Sequence, residues 1–278
     1  MALCPASNTP RSRAPTGACD DYARPVAASK HPVAVLAIVA LATVAGCSFR
    51  PGDYQPPAVD AAPIDAAIQA FCPVDPHLRL CFSFDQPTFG GTLANEGAAS
   101  TSAQLTNVTR IASGAGGAAQ LDATSTVFVP ASPEVTNIQA IEIWYRADSQ
   151  PVNDGERMGL VDSNTTSNIS LFLYRRDPSH ELRCGIGDAT IVWAATLTTA
   201  TWIYLACVCE NGNLKMYVDG TKIGDTAAAC ASGGTIVADG FTIGSNNNGG
   251  SGFPVTDWLL GAIDGIRLWD QPVTPAPP

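Results

Sequence analysis

The stretch NLKMYVDGTKI, Asn213–Ile223, decides the fold. Leu214, Met216 and Val218 fall on one side of an extended chain, while Lys215, Tyr217 and Asp219 fall on the other, the two-residue period of a half-buried strand. Asp219-Gly220 then stands where a tight hairpin needs two residues tolerant of positive φ, and Lys222 and Ile223 begin the return strand. Asp219 therefore reads first as a turn residue and only second as a chemical group.

Working outward, the chain from Phe71 to Trp269 keeps this character: short alternating or β-branched runs, punctuated by Gly, Asn and Pro. Twelve runs read as strands: Leu78 to Phe84, Ala103 to Thr109, Thr126 to Val129, Ile138 to Arg146, Met158 to Val161, Ile169 to Tyr174, Leu182 to Ile186, Thr190 to Ala194, Trp202 to Cys209, Leu214 to Val218, Phe241 to Ile243 and Ala262 to Trp269. With no long helical period among them, they predict an all-β, two-sheet sandwich over residues 71–270. The tail at 271–278, from the stretch DQPVTPAPP, is expected to be disordered.

The N-terminal part has a different logic. Arg11, Arg13, Arg24 and Lys30 precede an apolar run, Val33 to Val44, too short to span a bilayer comfortably, and the run ends in VAGC. Residues 1–46 read as an export signal whose leader is long, so the true start is expected inside it. Ala45-Gly46-Cys47 resembles the lipobox of bacterial lipoproteins, which makes Cys47 the acylated new N-terminus. Residues 48–70, rich in Pro, Ala and Asp, lack any sustained amphipathic period and read as a disordered tether reaching on the order of 70 Å. The expected location is the bacterial cell envelope, at the outer membrane or cell surface.

Charge and cysteine usage fit export. From Cys47 onward 11 basic residues face 23 acidic ones, leaving −12 with no basic cluster, which argues against nucleic acid as a partner. Removing Cys4 and Cys19 with the signal and acylating Cys47 leaves six cysteines: Cys72, Cys81, Cys184, Cys207, Cys209 and Cys230. Three disulfides are expected; the preferred set pairs Cys72 with Cys81 and joins Cys184 and Cys230 to Cys207 and Cys209, in either combination. A four-thiolate zinc site is the weaker alternative, because Cys207-Val208-Cys209 lacks a second close pair.

Three blocks, WIYLACVCENGNLKMYVDGTKIG, FTIGSNNNGG and LLGAIDGIRLWDQPV, resemble in order and spacing the laminin-G-like domains of the concanavalin A-like lectin/glucanase group. Trp202, Ala206, Gly212, Leu214, Tyr217, Val218, Asp219 and Gly220 take the places of the aromatic strand and its hairpin, Ile243-Gly244-Ser245 those of the following motif, and Gly261, Ile263, Asp264, Ile266 and Arg267 those of the last strand. LCFSFD, Leu80 to Asp85, and IQAIEIWYRAD, Ile138 to Asp148, resemble the family's opening strand and its glutamate-bearing strand. The resemblance implies a jelly roll of two curved antiparallel sheets with first and last strands adjacent. It also implies calcium, with Asp85 and Asp264 as the positions carried over as ligands, and a loop carboxylate such as Asp257 or backbone oxygens needed to complete the shell. One departure counts against it: family members often have Asp-Glu where this chain has Asp264-Gly265.

No catalytic constellation emerges. Hydrolases on this fold place acids as ExDxxE on one strand, since retaining cleavage needs carboxyls about 5 Å apart; here the six glutamates, Glu96, Glu134, Glu142, Glu156, Glu181 and Glu210, are scattered. Asp264 and Asp270 lie roughly 20 Å apart along one strand and cannot act as a pair. GAGGAA, Gly114 to Ala119, formally matches a dinucleotide fingerprint but lacks the following helix and reads as a loop. His77 and His180 have no metal-ligand spacing and read as solvated loop residues. Binding is what remains: Trp193 and Trp258 as sugar platforms and Asn246 and Asn247, with Asn248, as loop amides. The expected protein is a non-catalytic envelope lipoprotein binding carbohydrate or a protein partner, with an atypical glycoside hydrolase or a purely structural envelope protein as the alternatives.

Overall fold

The structure is a computed structural model that describes residues 71–114, 116–163, 168–196, 198–227, 230, 233–247 and 255–277. The signal segment, Cys47 with its tether, and Asn248 lie outside the described residues. Within them all regular structure is strand. The first strands are β1 Leu78–Phe82, β2 Thr92–Ala94, β3 Ser102–Thr106, β4 Thr109–Ser113, β5 Gly116–Leu121 and β6 Thr126–Val129. Then come β7 Ala140–Ala147, β8 Arg157–Asp162, β9 Asn168–Arg176, β10 Ser179–Gly187, β11 Ala189–Ala195 and β12 Trp202–Glu210. The last are β13 Asn213–Val218, β14 Thr221–Thr226, β15 Phe241–Ile243, β16 Asn246–Asn247, β17 Val255–Thr256 and β18 Gly261–Trp269.

They form two eight-stranded sheets and a small β16–β17 ribbon. The first sheet runs β14-β13-β12-β7-β18-β5-β4, with β1 also pairing β18; the second runs β11-β10-β9-β8-β15-β6-β3-β2. All recorded pairings are antiparallel, and first and last strands are neighbours, as the sequence resemblance implied. Between the sheets lies one continuous core built from inward residues such as Phe82, Phe84, Ile141, Ile143, Leu171, Leu205, Met216, Ile263 and Ile266.

The opening hairpin forms as read. Leu214 and Met216 are fully buried and Val218 packs on the core. Val218 pairs with Thr221, leaving Asp219 (φ 49°) and Gly220 (φ 75°) as the two central residues, both in the left-handed region that a primed turn requires. Asp219 also extends the neighbouring ladder: its Oδ1 accepts from the Tyr204 amide at 3.0 Å and its own amide donates to the Tyr204 carbonyl at 2.8 Å. Asp219→Ala is expected to cost about 1–2 kcal/mol, from the strained φ and the lost acceptor, while Asp219→Asn stays near neutral because asparagine keeps both properties. Paired urea melts check this; equal losses for the two variants would show that charge, not turn geometry, matters.

The disulfides are Cys72–Cys81, Cys184–Cys207 and Cys209–Cys230, which selects one of the two combinations left open. All six sulfurs are thereby bonded in pairs, and the zinc alternative falls.

One expectation is corrected. Gly116–Leu121 is a strand, β5, rather than a loop. Its glycines are sites of close approach: a Cβ on Gly116 would meet the Asp85 carboxylate, and one on Gly117 the Arg110 guanidinium, so the side chains that complete this strand come from elsewhere in the chain. The segment 271–277 has a defined place on the outer face of the first sheet, although it forms no strand. Val273 packs into a second apolar cluster of Leu78, Cys81, Ala140, Val208 and Trp269. The Arg267 Nη2 donates to the Ala276 carbonyl at 3.5 Å, and the Pro277 ring comes 3.1 Å from where a Cβ on Gly220 would stand.

Candidate functional site

The last strand carries the most irregular point in the first sheet. On one edge of β18, Gly261, Ala262 and Ile263 pair with β5, and Ile266, Arg267 and Leu268 pair with β1, so the ladder changes partner at Asp264-Gly265. On its other edge the register with β7 shifts between Ile263 and Gly265, a bulge that leaves Asp264 unpaired.

Asp85 reaches this break from the other end of the chain. It follows Phe84, which is fully buried yet held at φ 56°, a conformation that costs a bulky residue on the order of 1–3 kcal/mol and persists only where surrounding packing enforces it. The resulting turn brings Asp85 against β5, where its Oδ1 accepts from the Gly117 amide at 2.9 Å. Asp264 Oδ2 accepts from Ser113 Oγ at 2.7 Å. Burial raises the Asp264 carboxyl above its ordinary value, the Ser113 hydrogen bond opposes this, and the charge of Asp85 adds to the rise. The two acids singled out from sequence are thus brought together, on a surface with Ser113 and the β5 amides as neighbours.

Gly265 explains the departure from Asp-Glu. A Cβ there would lie 2.3 Å from the Phe71 ring, and that ring is also the platform beneath the Arg267 guanidinium, 4.6 Å from its centroid. The space that a glutamate side chain needs belongs to Phe71 in this protein.

The remaining candidates are used structurally. Asp257, the proposed loop carboxylate, pairs with Arg157 Nε at 2.5 Å and accepts from Asn246 Nδ2 at 2.9 Å, so it is committed away from Asp264. Asn246 and Asn247 are buried rather than displayed; the Asn247 amide donates to Asp162 Oδ2 at 2.9 Å and its Nδ2 to the Asp239 carbonyl. Trp193 is 41% exposed, but its ring meets Gly224 of the opposite sheet and so closes the open edge of the sandwich. Trp258 is half-buried, with an Nε1 that has no acceptor among the described residues. His77 is not merely solvated: its Nδ1 lies 2.8 Å from Asp270 Oδ1.

Sequence reasoning missed Ser113 and the two glycines of β5, whose only signal was small size opposite LCFSFD. It also read Glu142, from its alternation with Ile141 and Ile143, only as a solvent-facing or hydrogen-bonded strand residue. That residue is 3% exposed and is surrounded by Arg267, the Tyr204 hydroxyl and the Trp269 indole N–H. As a metal centre, the break offers two carboxylates and a hydroxyl; among the described residues no group of three or more His, Cys, Asp and Glu side chains converges. A cation held there would draw its other ligands from backbone oxygens and water, which suits calcium better than zinc.

Strand order and register define an antiparallel sandwich of the jelly-roll class, here carrying three disulfides. The laminin-G family model of the concanavalin A-like lectin/glucanases superfamily matches residues 113–277, and the chain belongs to that family. No curated protein matches it. Among solved structures, domain 4 of AbnA, a GH43 extracellular arabinanase from Geobacillus stearothermophilus in complex with arabinotriose, is 19% identical at a TM-score of 0.45, over 71% of this chain and 94% of that one. Trypanosoma rangeli sialidase in complex with sialic acid is 13% identical at 0.47, over 71% of this chain and 31% of the sialidase. The CBM40 of Ruminococcus gnavus IT-sialidase bound to α2,3-sialyllactose is 14% identical at 0.38, over 50% of this chain and 78% of that one.

Proposed function

We propose that this protein is a lipid-anchored, non-catalytic envelope protein whose sandwich binds carbohydrate at the Asp85–Asp264 break. The anchor is Cys47, and the Pro/Ala/Asp tether holds the sandwich off the membrane surface. Three disulfides suit an oxidising compartment. The observation that carries the binding site is the pair of carboxylates held together at an unpaired point of the sheet, at the expense of a left-handed Phe84. Calcium bound there would neutralise both acids and offer coordination positions to sugar hydroxyls; Asp85, Asp264 and Ser113 would hold it. A glycan array read with calcium and with chelator tests the proposal: calcium-dependent hits supported by the wild type and absent from Asp264→Asn are expected, and identical profiles would overturn it.

Stability gives an independent readout with a definite sign. The folded-state carboxyl of Asp264 titrates above its unfolded value of about 3.9, so the native state holds that proton longer. Stability of the metal-free protein therefore falls as pH rises from about 4 through the raised folded value, and the full cost is present above it. Asp264→Asn is expected to raise Tm by a few degrees at pH 7 in chelator and to flatten this fall. Added calcium should raise the Tm of the wild type and leave the variant unmoved; a wild-type Tm indifferent to both calcium and chelator would count against the cation.

The same pair supports a second reading. A carboxyl with a raised pKa beside another carboxylate is the arrangement used for glycosidic cleavage, so the alternative is a hydrolase with Asp264 as acid and Asp85 as its partner. Turnover on a polysaccharide panel, abolished by Asp264→Asn, would favour it over binding alone.

A further inference from the structure

The outer face of the first sheet is not a solvated surface. By register, Ala206 stands between Glu142 on β7 and Tyr217 on β13, and Val208 stands between Ala140 and Lys215. Ala140, Ala206 and Val208 are at most 2% exposed, although they point away from the main core. They form a low floor. Around it rise Tyr217, Tyr204 and Trp269, with Trp144 beside Tyr204 at a ring separation of 5.9 Å.

Residues 271–277 lie in this depression. Gln271, Val273 and Pro275 are half-buried while Pro272, Thr274, Ala276 and Pro277 are exposed, the alternation of an extended chain laid on a surface. Val273 enters the apolar cluster with Trp269, Val208 and Ala140. The Ala276 carbonyl meets Arg267 Nη2, and Pro277 reaches the Asp219-Gly220 turn. Three prolines in seven residues remove the amide donors that strand pairing needs, and no backbone-to-backbone hydrogen bond joins this segment to a strand among the described residues; the Ala276 main chain instead meets two side chains, the Tyr204 hydroxyl and the Arg267 guanidinium. Aromatic-lined grooves are the means by which proteins recognise extended proline-rich chains.

We infer that the floor of Ala140, Ala206 and Val208, walled by Tyr217, Tyr204 and Trp269, is a peptide groove for extended proline-rich segments, which residues 271–277 fill in cis and so close to partners. The partner class is a polypeptide of the same chemistry as the strap: extended, proline-spaced, with a small aliphatic side chain in place of Val273. The inference does not rest on the sugar reading.

The test compares the full chain, the chain lacking residues 271–278, and Val273→Asp, using as probe a synthetic peptide of residues 270–278, DQPVTPAPP, followed by calorimetry and tryptophan fluorescence. The truncated chain and Val273→Asp are each expected to bind the peptide at least tenfold more tightly than the full chain, and a peptide with its prolines replaced by alanine should lose most of that affinity. If truncation lowers Tm, the peptide added in trans should restore it, which reads the same groove through stability. A truncated chain that keeps its circular dichroism and Tm yet fails to bind, or one that loses its fold and is not restored, overturns the proposal. So does equal affinity for the alanine peptide.

Discussion

Arg267→Met is expected to destabilise the protein by about 3–5 kcal/mol, the usual cost of removing one partner from a buried ion pair. Glu142 sits at the centre of β7 with Oε1 accepting from the Tyr204 hydroxyl and from Arg267 Nη2, the latter at 3.2 Å, and with Oε2 accepting from Trp269 Nε1 at 2.6 Å. Arg267 Nε stands 3.0 Å from Oε2 as an ion contact without an aligned hydrogen bond. Burial, and after it the Glu142 charge, drives the Tyr204 hydroxyl well above its ordinary range, so it remains a donor throughout the accessible pH range. Without Arg267 the carboxylate keeps two neutral donors but loses the one cation paired with it among the described residues, in a site that water reaches poorly. Phe71 also loses the guanidinium stacked on its ring. The double variant Glu142→Gln, Arg267→Met removes both charges together, and most of the loss should return, because a neutral amide costs far less to bury than an unpaired carboxylate. Urea unfolding with unchanged m-value is the measurement. A single variant costing less than about 1 kcal/mol would show that the pair behaves as a surface ion pair, and the burial argument would fail.

Glu142 also marks where sequence reading stops. Its alternation with Ile141 and Ile143 identified the strand, because a two-residue period with one face in the core is a local property; the same holds for Asn213–Val218, Trp202–Glu210 and Gly261–Trp269. All twelve runs read as strands fall on observed strands, with ends shifted by a few residues. Local pattern could not say that the outer face of this sheet is covered as well, since what covers it arrives from Phe71, Cys72 and the segment after β18. The strand β5 failed for a related reason. Gly116 and Gly117 offer no side-chain pattern, and the groups filling their space, Asp85 and Arg110, belong to other strands or turns. Asp85 and Asp264 were named through resemblance, but their meeting depends on a left-handed Phe84 and on a change of partner along β18, both long-range outcomes. Asn246 and Asn247 misled in the opposite direction. An Asn-Gly-rich run has the composition of an exposed turn, yet Asp162 and the Asp239 carbonyl give these amides buried partners.

Removing the Cys184–Cys207 bridge by a double alanine substitution is expected to cost about 3–5 kcal/mol, and more than removal of Cys72–Cys81. Cys184 lies on β10 of the second sheet and Cys207 on β12 of the first, both fully buried in the shared core, so this bond crosses the sandwich. Its 23-residue separation corresponds to a loop-closure contribution of about 3–4 kcal/mol. The two alanines also leave a void in packed surroundings, which adds a cavity cost. Cys72–Cys81 spans only nine residues and pins the start of the domain to its outer face; loop closure there contributes about 2–3 kcal/mol. Both cysteines of a bridge must be removed together. Cys184→Ala alone would leave the Cys207 thiol two residues from Cys209, where exchange with the Cys209–Cys230 bond would confuse the result. Thermal unfolding of the two double variants, each with its remaining bridges verified by mass spectrometry, measures the difference. A larger loss at Cys184–Cys207 than loop length predicts assigns the excess to the core between the sheets. Equal losses would mean that the bridge across the sandwich adds nothing to the packing around it.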